Sequence, residues 1–534
     1  MLKSVMTHQF SQIPEISLSR SLFDRSCGYK TTFDSGYLVP FYVDEVLPGD
    51  TFDVNATIFA RLATPVVPIM DNLFLDTFFF FVPNRLVWDH WKNFNGEQKN
   101  PGDSTDYLVP QVKAPVGGFG FESLFDYMGM PPAVDNISMC AFYPRAYNLI
   151  WNEWFRDENL QDSVTVNLGD GPDPSTDYTL LRRGKRHDYF TSCLPWPQKG
   201  PGVELPLGTT ADVIATGPLS FTSNNGTSFD GARLYINTQS LSGNTIGTNT
   251  SQNRLVQLST VSNPSGPEAL QYKSGLSADL STATAATINS LRQAFQLQKF
   301  YERDSRGGTR YTEIIRSHFG VVSPDARLQR PEYLGGQSNK VVINPVVQNS
   351  STDSTSPQGN LAAFGVVGST GNGFVKSFTE HGVIIGLVNV RADLTYQNGI
   401  MREFSRRTRV DYYWPSFAHL GEQAVLNKEI YAQGTDDDDG VFGYQERYAE
   451  YRYKPSLITG KMRSSYPQSL DIWHLSQKFT ELPALNGDFI QDNPPLARVN
   501  AVQNEPQLIM DCYIQNKCIR PMPVYGVPGL VDHF

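Results

Sequence analysis

One apolar run sets the strongest limit on what this chain can fold into. Residues 71–84 have the sequence DNLFLDTFFFFVPN, in which the Asp-Asn and Pro-Asn pairs at the two ends are typical of turns. In the second half of the run, Phe78, Phe79, Phe80, Phe81 and Val82 leave no polar face. A strand that is apolar on both faces must be covered on both faces, and an exposed run of this kind would aggregate. The sequence therefore predicts a strand deep inside a large β domain.

The other strong β patterns lie far apart along the chain. Residues 51–60 (TFDVNATIFA) alternate between apolar and mostly polar side chains, which is typical of a half-buried strand. Further strands are predicted over 381–396, 468–475 and 507–514. Strands that are distant in sequence but share one core indicate a Greek-key or jelly-roll sandwich with elaborated loops. A content of 43 Gly, 35 Pro and only 18% charged residues also suits a mainly β, loop-rich protein.

The segments between these strands are predicted as short helices and loops. Apolar spacing favours helices over 144–155, 287–303, 311–319 and 421–431. Residues 347–373 are rich in Ser, Thr and Gly and are predicted to form a loop. The basic run RRGKR at 182–186 is interpreted as a solvated loop in preference to a phosphate contact.

Composition divides the chain into four parts. Residues 1–27 show little periodicity and are predicted to form an N-terminal arm. Between 201 and 285, 40 of 85 residues are Ser, Thr, Asn or Gly and only 8 are charged. This stretch is too uncharged for a solvating tail, so we expect a folded, loop-dominated insertion. Residues 28–200 and 286–534 would then supply the two halves of one core, the second ending in a Pro-rich tail.

The sequence offers little that could support catalysis. It contains no nucleophile elbow, phosphate-binding loop, dinucleotide fingerprint or HExxH motif, and its eight histidines are scattered singly. The five cysteines form no CxxC pair, which argues against zinc ribbons and disulfide frameworks and favours buried thiols in a reducing compartment. No apolar stretch is long enough to span a bilayer. We therefore expect neither enzymatic activity, a cofactor nor membrane insertion.

One acidic run is a weak candidate for a metal site. Asp436, Asp437, Asp438 and Asp439 are consecutive, and carboxylate oxygens suit calcium. The alternating ligands of a calcium-binding loop are missing, however. Consecutive carboxylates cannot all turn toward one ion, so a solvated turn is favoured and no metal is predicted.

An aromatic and basic segment at 442–454 (FGYQERYAEYRYK) is the best candidate for a contact site. Rings beside cations bind single-stranded nucleic acid, but Tyr and Arg are also enriched at protein–protein interfaces. Glu446 and Glu450 in its middle favour the protein interface. The residues predicted to contact another subunit or DNA are Tyr444, Arg447, Tyr448, Tyr451, Arg452, Tyr453 and Lys454.

Long blocks of the sequence resemble a known family. They include KTTFDSGYLVPFYVDEVLPGDTF, ARLATPVVPIMDNLFLDTFFFFVPNRLVW, YERDSRGGTRYTEIIRSHFGVVSPDARLQRPEYLGG, FTEHGVIIGLVNVRADLTYQNG and the ending RPMPVYGVPGLVDHF. In this order they resemble the major capsid proteins of microviruses, small single-stranded DNA bacteriophages, and most closely the gokushovirus branch. The resemblance covers roughly residues 29–98, 288–336 and 374–534. It does not extend over 201–285 or 347–373.

The resemblance implies a fold, an assembly and a set of partners. It implies an eight-stranded viral jelly-roll sandwich with large loop and short-helix insertions, and a T=1 icosahedral shell of sixty copies around a circular single-stranded DNA genome. It also implies a small basic DNA-packaging protein, which would explain how a chain of net charge -10 encloses DNA, and it leaves room for vertex or pilot minor proteins. Residues 201–285 would form three-fold protrusions that meet a receptor on the bacterial host. The protein would reside in the virion, after assembly in the host cytoplasm.

A second hypothesis comes from a different class. An aromatic-rich, Gly-rich β chain is also typical of a carbohydrate-binding or adhesin-like β-sandwich. Only the capsid hypothesis predicts particles of megadalton mass.

Overall fold

The computed structural model describes residues 19–203, 212–222, 228–229, 271–279, 288–322 and 329–525. These residues divide into two compact units, one within 1–199 and 302–534 and the other within 200–301. Most of the predicted arm at 1–27 and most of the predicted insertion at 201–285 lie outside the described residues. The last nine residues of the Pro-rich tail lie outside them as well.

In the described part of the chain, the core strands are long and the strands in the connecting segments are short. They are β1 (Ser21–Asp24), β2 (Cys27–Phe33), β3 (Val39–Val46), β4 (Thr51–Leu62), β5 (Leu73–Pro83), β6 (Gln111–Lys113), β7 (Ser138–Cys140), β8 (Asp212–Thr222), β9 (Ser228–Phe229), β10 (Gln271–Asp279), β11 (Glu332–Lys340), β12 (Val342–Val347), β13 (Leu361–Ser377), β14 (Gly382–Ala392), β15 (Glu422–Leu426), β16 (Val441–Glu446) and β17 (Leu508–Arg520).

The helices are mostly single turns. They are α1 (Trp91–Phe94), α2 (Leu124–Tyr127), α3 (Phe142–Ile150), α4 (Ile288–Arg306), α5 (Tyr311–Phe319), α6 (Arg402–Ser405), α7 (Asn427–Ile430) and α8 (Gly487–Ile490). A π-helical turn, Trp151–Phe155, continues α3, so the helix predicted over 144–155 is confirmed. The helices predicted over 287–303 and 311–319 are confirmed as α4 and α5.

Eight strands build the core of the larger unit. The first sheet holds β2, β17, β4 and β13 in that order, and the second holds β3, β14, β5 and β11. Every neighbouring pair is antiparallel. Successive strands of the core mostly alternate between the two sheets, and the last strand pairs with the first. This is the connectivity of a jelly roll, so the predicted fold class is confirmed. β1 and β12 extend the first sheet.

The two sheets bury one apolar layer between them. On β4, Phe52, Val54 and Ile58 point inward and alternate with exposed residues, as their spacing predicts. They meet Phe79 and Phe81 of β5 in the same cluster. Phe79 lies 5.4 Å, between ring centres, from both Phe41 of β3 and Phe374 of β13.

The second sheet is also covered on its other face. There Phe80 and Val82 of β5 join a second apolar cluster with Ala146 and Ile150 of α3. Phe78 is partly buried and packs edge-to-face against Phe155, 5.2 Å away between ring centres. The phenylalanine run is therefore buried on both faces, as its sequence predicts.

The loop predicted over 347–373 is wrong in its second half. Residues 361–373 belong to β13, which pairs with both β4 and β12. Its glycines permit close backbone approach, since a Cβ at Gly373 would lie 1.7 Å from the carbonyl oxygen of Val54. A Cβ at Gly365 would lie 2.9 Å from Leu62 Cβ. Glycine here marks crowded strand pairing and a register shift, not a loop.

Two other local predictions are wrong. Residues 421–431 form the strand β15 followed by the single turn α7, because β15 pairs with β16. Residues 468–475 form no strand and contain a 3-10 turn at Asp471–Trp473. The prediction that the cysteine thiols are buried holds for Cys193, Cys512 and Cys518, whereas Cys27 is exposed.

Replacing Phe79 or Phe80 by Ala should lower the free energy of unfolding by roughly 3–5 kcal/mol. Each ring is almost fully buried, one in each apolar layer. Phe59→Ala is the matched control, since Phe59 on β4 is 55% exposed and its loss should cost about 1 kcal/mol or less. Denaturant unfolding of the three proteins measures this. Normal unfolding midpoints for Phe79→Ala and Phe80→Ala would contradict it.

Candidate interface site

The aromatic and basic segment follows a short hairpin. Its first residues form β16, which pairs with β15, and the chain then turns at Tyr448. The φ of Tyr448 is 63°, a left-handed conformation that is uncommon for a bulky residue. Two hydrogen bonds hold it: its N–H donates to Gln423 Oε1 at 3.4 Å and its hydroxyl to the Tyr412 carbonyl at 3.3 Å. The turn is therefore held by contacts from outside the segment.

The rings of the segment differ in how much surface they offer. Tyr448 is buried at 4% exposure, whereas Tyr451 is 49% exposed. Tyr453 stacks on Tyr189, with ring centres 5.6 Å apart and planes within 7°. Tyr444 is partly buried, and its backbone exchanges two 2.8 Å hydrogen bonds with Leu194. Only Tyr451, among these rings, presents a large free surface.

The cations of the segment have acidic partners. Arg452 forms an ion pair with Glu446, and Lys454 Nζ lies 2.8 Å from Glu403 Oε1. Arg447 is the exception. Its guanidinium lies 4.9 Å from the ring centre of Tyr448, and its Nε is buried without a hydrogen-bond partner among the described residues.

Beside the segment lies an open pocket with a cavity volume of about 90 Å³. Glu429 is at its buried end, where it accepts hydrogen bonds from Arg402 at 2.8 Å and from the Tyr189 hydroxyl at 2.9 Å. Burial raises the pKa of Glu429, against the opposing effect of Arg402. Glu450 in turn lies 3.5 Å from Arg406. Apart from Arg447, the charges named here are neutralised within the chain, which favours a contact with protein over a contact with phosphate.

The acidic run forms a 3-10 turn, Asp436–Asp439. Asp438 accepts hydrogen bonds from the backbone N–H groups of Gln433 and Gly434, each at 2.8 Å. Asp439 forms an ion pair with Lys428 at 2.5 Å. Within the described ranges, no group of three or more His, Cys, Asp or Glu side chains is placed to hold a metal ion. Asp438 and Asp439 therefore stabilise the local turn through these contacts.

The basic run at 182–186 is not the solvated loop that the sequence predicts. Arg183 lies 2.5 Å from Asp76 of β5, and Lys185 is buried, where its Nζ donates to Gln477 Oε1 at 3.1 Å. Arg186 and the following His187 are the exposed residues of this loop. The local sequence has no signal for this arrangement, because the partners lie far away along the chain.

Comparison with known proteins assigns the family. The family described as capsid protein (F protein) matches residues 11–530. Capsid protein VP1 of Bdellovibrio phage phiMH2K is 50% identical over 99% of this chain and 98% of its own length. Capsid protein VP1 of Chlamydia phage 1 is 47% identical over 99% of this chain and 98% of its own, and that of Spiroplasma virus 4 is 38% identical over 98% and 97%.

The chain belongs to this capsid protein family. The resemblance to gokushovirus-type microviruses is thereby confirmed. The protein is a major capsid protein, a structural component of the virion that assembles with copies of itself, and not an enzyme. Among the described residues, no helix is long and apolar enough to cross a membrane.

A buried carboxyl near the basic loop makes the stability of this capsid protein depend on pH. Burial raises the pKa of Asp492 to about 6, against the effect of Arg183 and Lys185. Between about pH 4 and pH 6 the folded chain therefore holds a proton that the unfolded chain releases, so the free energy of unfolding falls as pH rises through this window. The Asp492→Asn side chain does not ionise, so it stays uncharged in both the folded and the unfolded chain over this pH range.

The difference in free energy of unfolding, Asp492→Asn minus wild type, should increase by roughly 3 kcal/mol from pH 4 to pH 6. Denaturant titrations at a series of pH values measure the difference. Asp488→Asn, which changes an exposed carboxyl nearby, is the control. A constant difference between wild type and Asp492→Asn would show that folding does not raise the pKa of Asp492.

The subunit-contact hypothesis is best tested at the exposed residues. Tyr451→Ala with Arg452→Ala should lower particle yield at least about tenfold, because exposed Tyr and Arg side chains are frequent hot spots. The unfolding midpoint of the subunit should fall only slightly, through loss of the hydrogen bond from the Tyr413 N–H to the Tyr451 hydroxyl. Sedimentation and electron microscopy measure the yield. Tyr466→Ala with Lys461→Ala, another partly exposed ring and cation pair, is the control. Normal yield in the first double variant would exclude the segment from the contact. Tyr448→Ala is unsuitable, since its ring is buried.

Proposed function

We propose that this capsid protein forms a T=1 shell of sixty copies around a circular single-stranded DNA genome. The observation that carries the proposal is the jelly-roll strand order in a chain that matches capsid VP1 relatives over 97–98% of their length. A closed shell needs a subunit whose rigid wall leaves loops free to meet neighbours. The sandwich supplies the wall, and the long connections after β5 and β14 supply the loops.

The charge balance supports a separate DNA-packaging partner. The chain carries 54 acidic and 44 basic residues, and the cations near the aromatic segment are largely neutralised by its own glutamates. Phosphates of the genome need more positive charge than this chain offers. A small basic packaging protein fits that need, with vertex or pilot minor proteins as further partners.

The insertion at 201–285 is proposed to form a protrusion on the three-fold axes that contacts a host receptor. Two features support this. The segment lies within a compact unit of its own, in which β10, β8 and β9 form an antiparallel sheet. Its 8 charges among 85 residues suit a surface that packs against symmetry copies of itself.

Electron microscopy and light scattering of the purified protein test the shell. We expect uniform icosahedral particles with a mass sixty times that of the subunit, containing nuclease-protected circular single-stranded DNA. A protein that stays a small oligomer and binds a glycan array would instead support the carbohydrate-binding or adhesin-like hypothesis, which no specific observation favours.

Deleting residues 201–285 and bridging the gap with a short Gly-Ser linker should leave shells that assemble and no longer adsorb to host cells. Adsorption is measured by the loss of free particles from a host suspension. A control with the same linker inserted into the exposed loop at 351–356 should both assemble and adsorb. Deleted particles that infect normally, or that fail to form, would refute the proposed role.

A further inference from the structure

The connection after β14 contains a loop with exposed rings. This aromatic loop consists of residues 407–416, all of which are exposed. Exposed loops are common, but this one carries three consecutive rings: Tyr412 is 51%, Tyr413 49% and Trp414 39% exposed. Contiguous exposed apolar surface marks interaction sites. The aromatic loop is therefore a candidate contact surface.

Hydrogen bonds hold the aromatic loop in one shape. Asp411 accepts the backbone N–H groups of Arg407 and Thr408 at 2.8 and 2.6 Å. The Trp414 Nε1 donates to the Arg409 carbonyl at 2.9 Å. Rings that are ordered before they meet a partner lose little conformational entropy on binding. The loop is thus organised in advance for a contact.

The aromatic loop is continuous with the segment at 442–454. The Tyr413 N–H donates to the Tyr451 hydroxyl at 3.1 Å. The Tyr413 ring packs edge-to-face against the buried Tyr448, with ring centres 5.1 Å apart. Since Tyr451 is half exposed, the loop and the segment together form one exposed aromatic surface.

Two arginines of the aromatic loop have no acidic partner. Arg407 and Arg409 are exposed, and neither forms an ion pair with the residues that the structure describes. The Arg409 Cζ lies 4.6 Å from the ring centre of Trp414. The neighbouring Arg406, by contrast, pairs with Glu450. Unpaired guanidinium groups beside rings are the typical composition of an interface hot spot.

Two aspartates of the acidic run are also unpaired. Asp436 and Asp437 are exposed and form no ion pair within the described ranges, whereas Asp439 pairs with Lys428. The run lies near the aromatic loop, because the pKa of Asp439 is lowered by Lys428 and further by the charge of Arg407. Unpaired cations and unpaired anions therefore lie close together on this part of the subunit.

We propose that this surface binds a second copy of the chain across a two-fold axis. Arg407 and Arg409 of each copy meet Asp436 and Asp437 of the other, and the exposed rings become buried between the copies. A two-fold contact uses the same patch on both partners and must be self-complementary. A patch with unpaired charges of both signs meets this condition. Ring burial supplies most of the affinity, since exposed ion pairs contribute little, and the charges fix the orientation of the two copies.

Two observations favour a second copy as the partner. The protein assembles with copies of itself, and the carboxylates beside the arginines would repel a nucleic acid or another polyanion. The inference goes beyond the proposed function, because it requires self-assembly but neither sixty copies nor a genome.

Charge reversal in the full-length chain tests the contact. Arg407→Glu with Arg409→Glu should lower particle yield at least about tenfold, because like charges then face each other. Asp436→Lys with Asp437→Lys should do the same. All four changes in one chain should restore the yield to within about threefold of the wild type. Sedimentation and electron microscopy measure the yield, and denaturant unfolding checks that each subunit folds.

Two controls separate complementarity from net charge. Lys99→Glu with Lys113→Glu makes the same change in net charge at exposed positions in the connection after β5. It should change the yield less than about twofold, because distant exposed charges are screened. Adding these two changes to Asp436→Lys with Asp437→Lys restores the net charge of the wild type and should leave the yield low.

Coexpression of the two reversed forms shows whether the pairing lies between chains. Each form alone should give few particles, whereas the mixture should assemble, because a two-fold pair with one copy of each form has both contacts complementary. Rings with an odd number of copies cannot alternate between two forms, so recovery also identifies the two-fold axis. Normal yield in either reversed form, or failure of the mixture or of the fourfold variant to recover, would overturn the inference.

A crosslink gives a readout that needs no charge reversal. In assembled particles, Arg409→Cys with Asp437→Cys should give pairs of linked chains with a short bismaleimide, and neither single variant should. Chains that remain unlinked would also overturn the inference. The proposed function would then still stand, because particle mass and DNA content decide it separately.

Discussion

The structure depends on burying β5 and β14 on both faces. Every residue of β14 is buried, and β5 beside it contributes the phenylalanine run. Such large rings fit only because β14 places glycine against them: a Cβ at Gly382, diagonal to Phe81, would lie 2.4 Å from the Phe81 ring, and one at Gly386, directly opposite Phe79, would lie 3.0 Å from the Phe79 ring. One face of this pair then requires the first sheet, and the other requires α3 and the chain around it. The sandwich and its helical cover follow from this one constraint.

A buried charge sits in the middle of this apolar strand. Asp76 of β5 accepts from Arg183 at 2.5 Å and from Arg391 of β14 at 2.8 Å, and the Ser338 hydroxyl of β11 donates to it at 2.5 Å. Removing one partner of such a set leaves the remaining charges buried and unpaired, which is strongly destabilising. The basic loop at 182–186 is thereby held against the sheet through Arg183.

Two places in the chain bring rings and cations together, and their charge balance separates them. In the segment at 442–454, glutamates neutralise Arg452, Lys454 and the neighbouring Arg402 and Arg406. Desolvating such paired groups against another protein is less costly than opening them for phosphate. In the open pocket that Phe80, Trp154 and Tyr333 line beside β11, Arg186 is exposed and forms no ion pair with the residues that the structure describes. The composition of either stretch alone does not reveal this difference.

The sequence by itself determined the two-faced strand, the alternation of β4, the helices α4 and α5, and through its resemblance the jelly roll and the capsid family. These are properties of side-chain periodicity along one element, which local sequence records. Only the tertiary structure decided that the Gly-rich residues 361–373 pair as a strand, that Tyr448 is buried, and that Arg183 and Lys185 leave the solvent. Each of these outcomes depends on partners remote in sequence, such as Asp76 and Arg391, which are 315 positions apart. Local pattern cannot specify such pairing, because the burial and charge that a residue meets are set by whichever distant element packs against it.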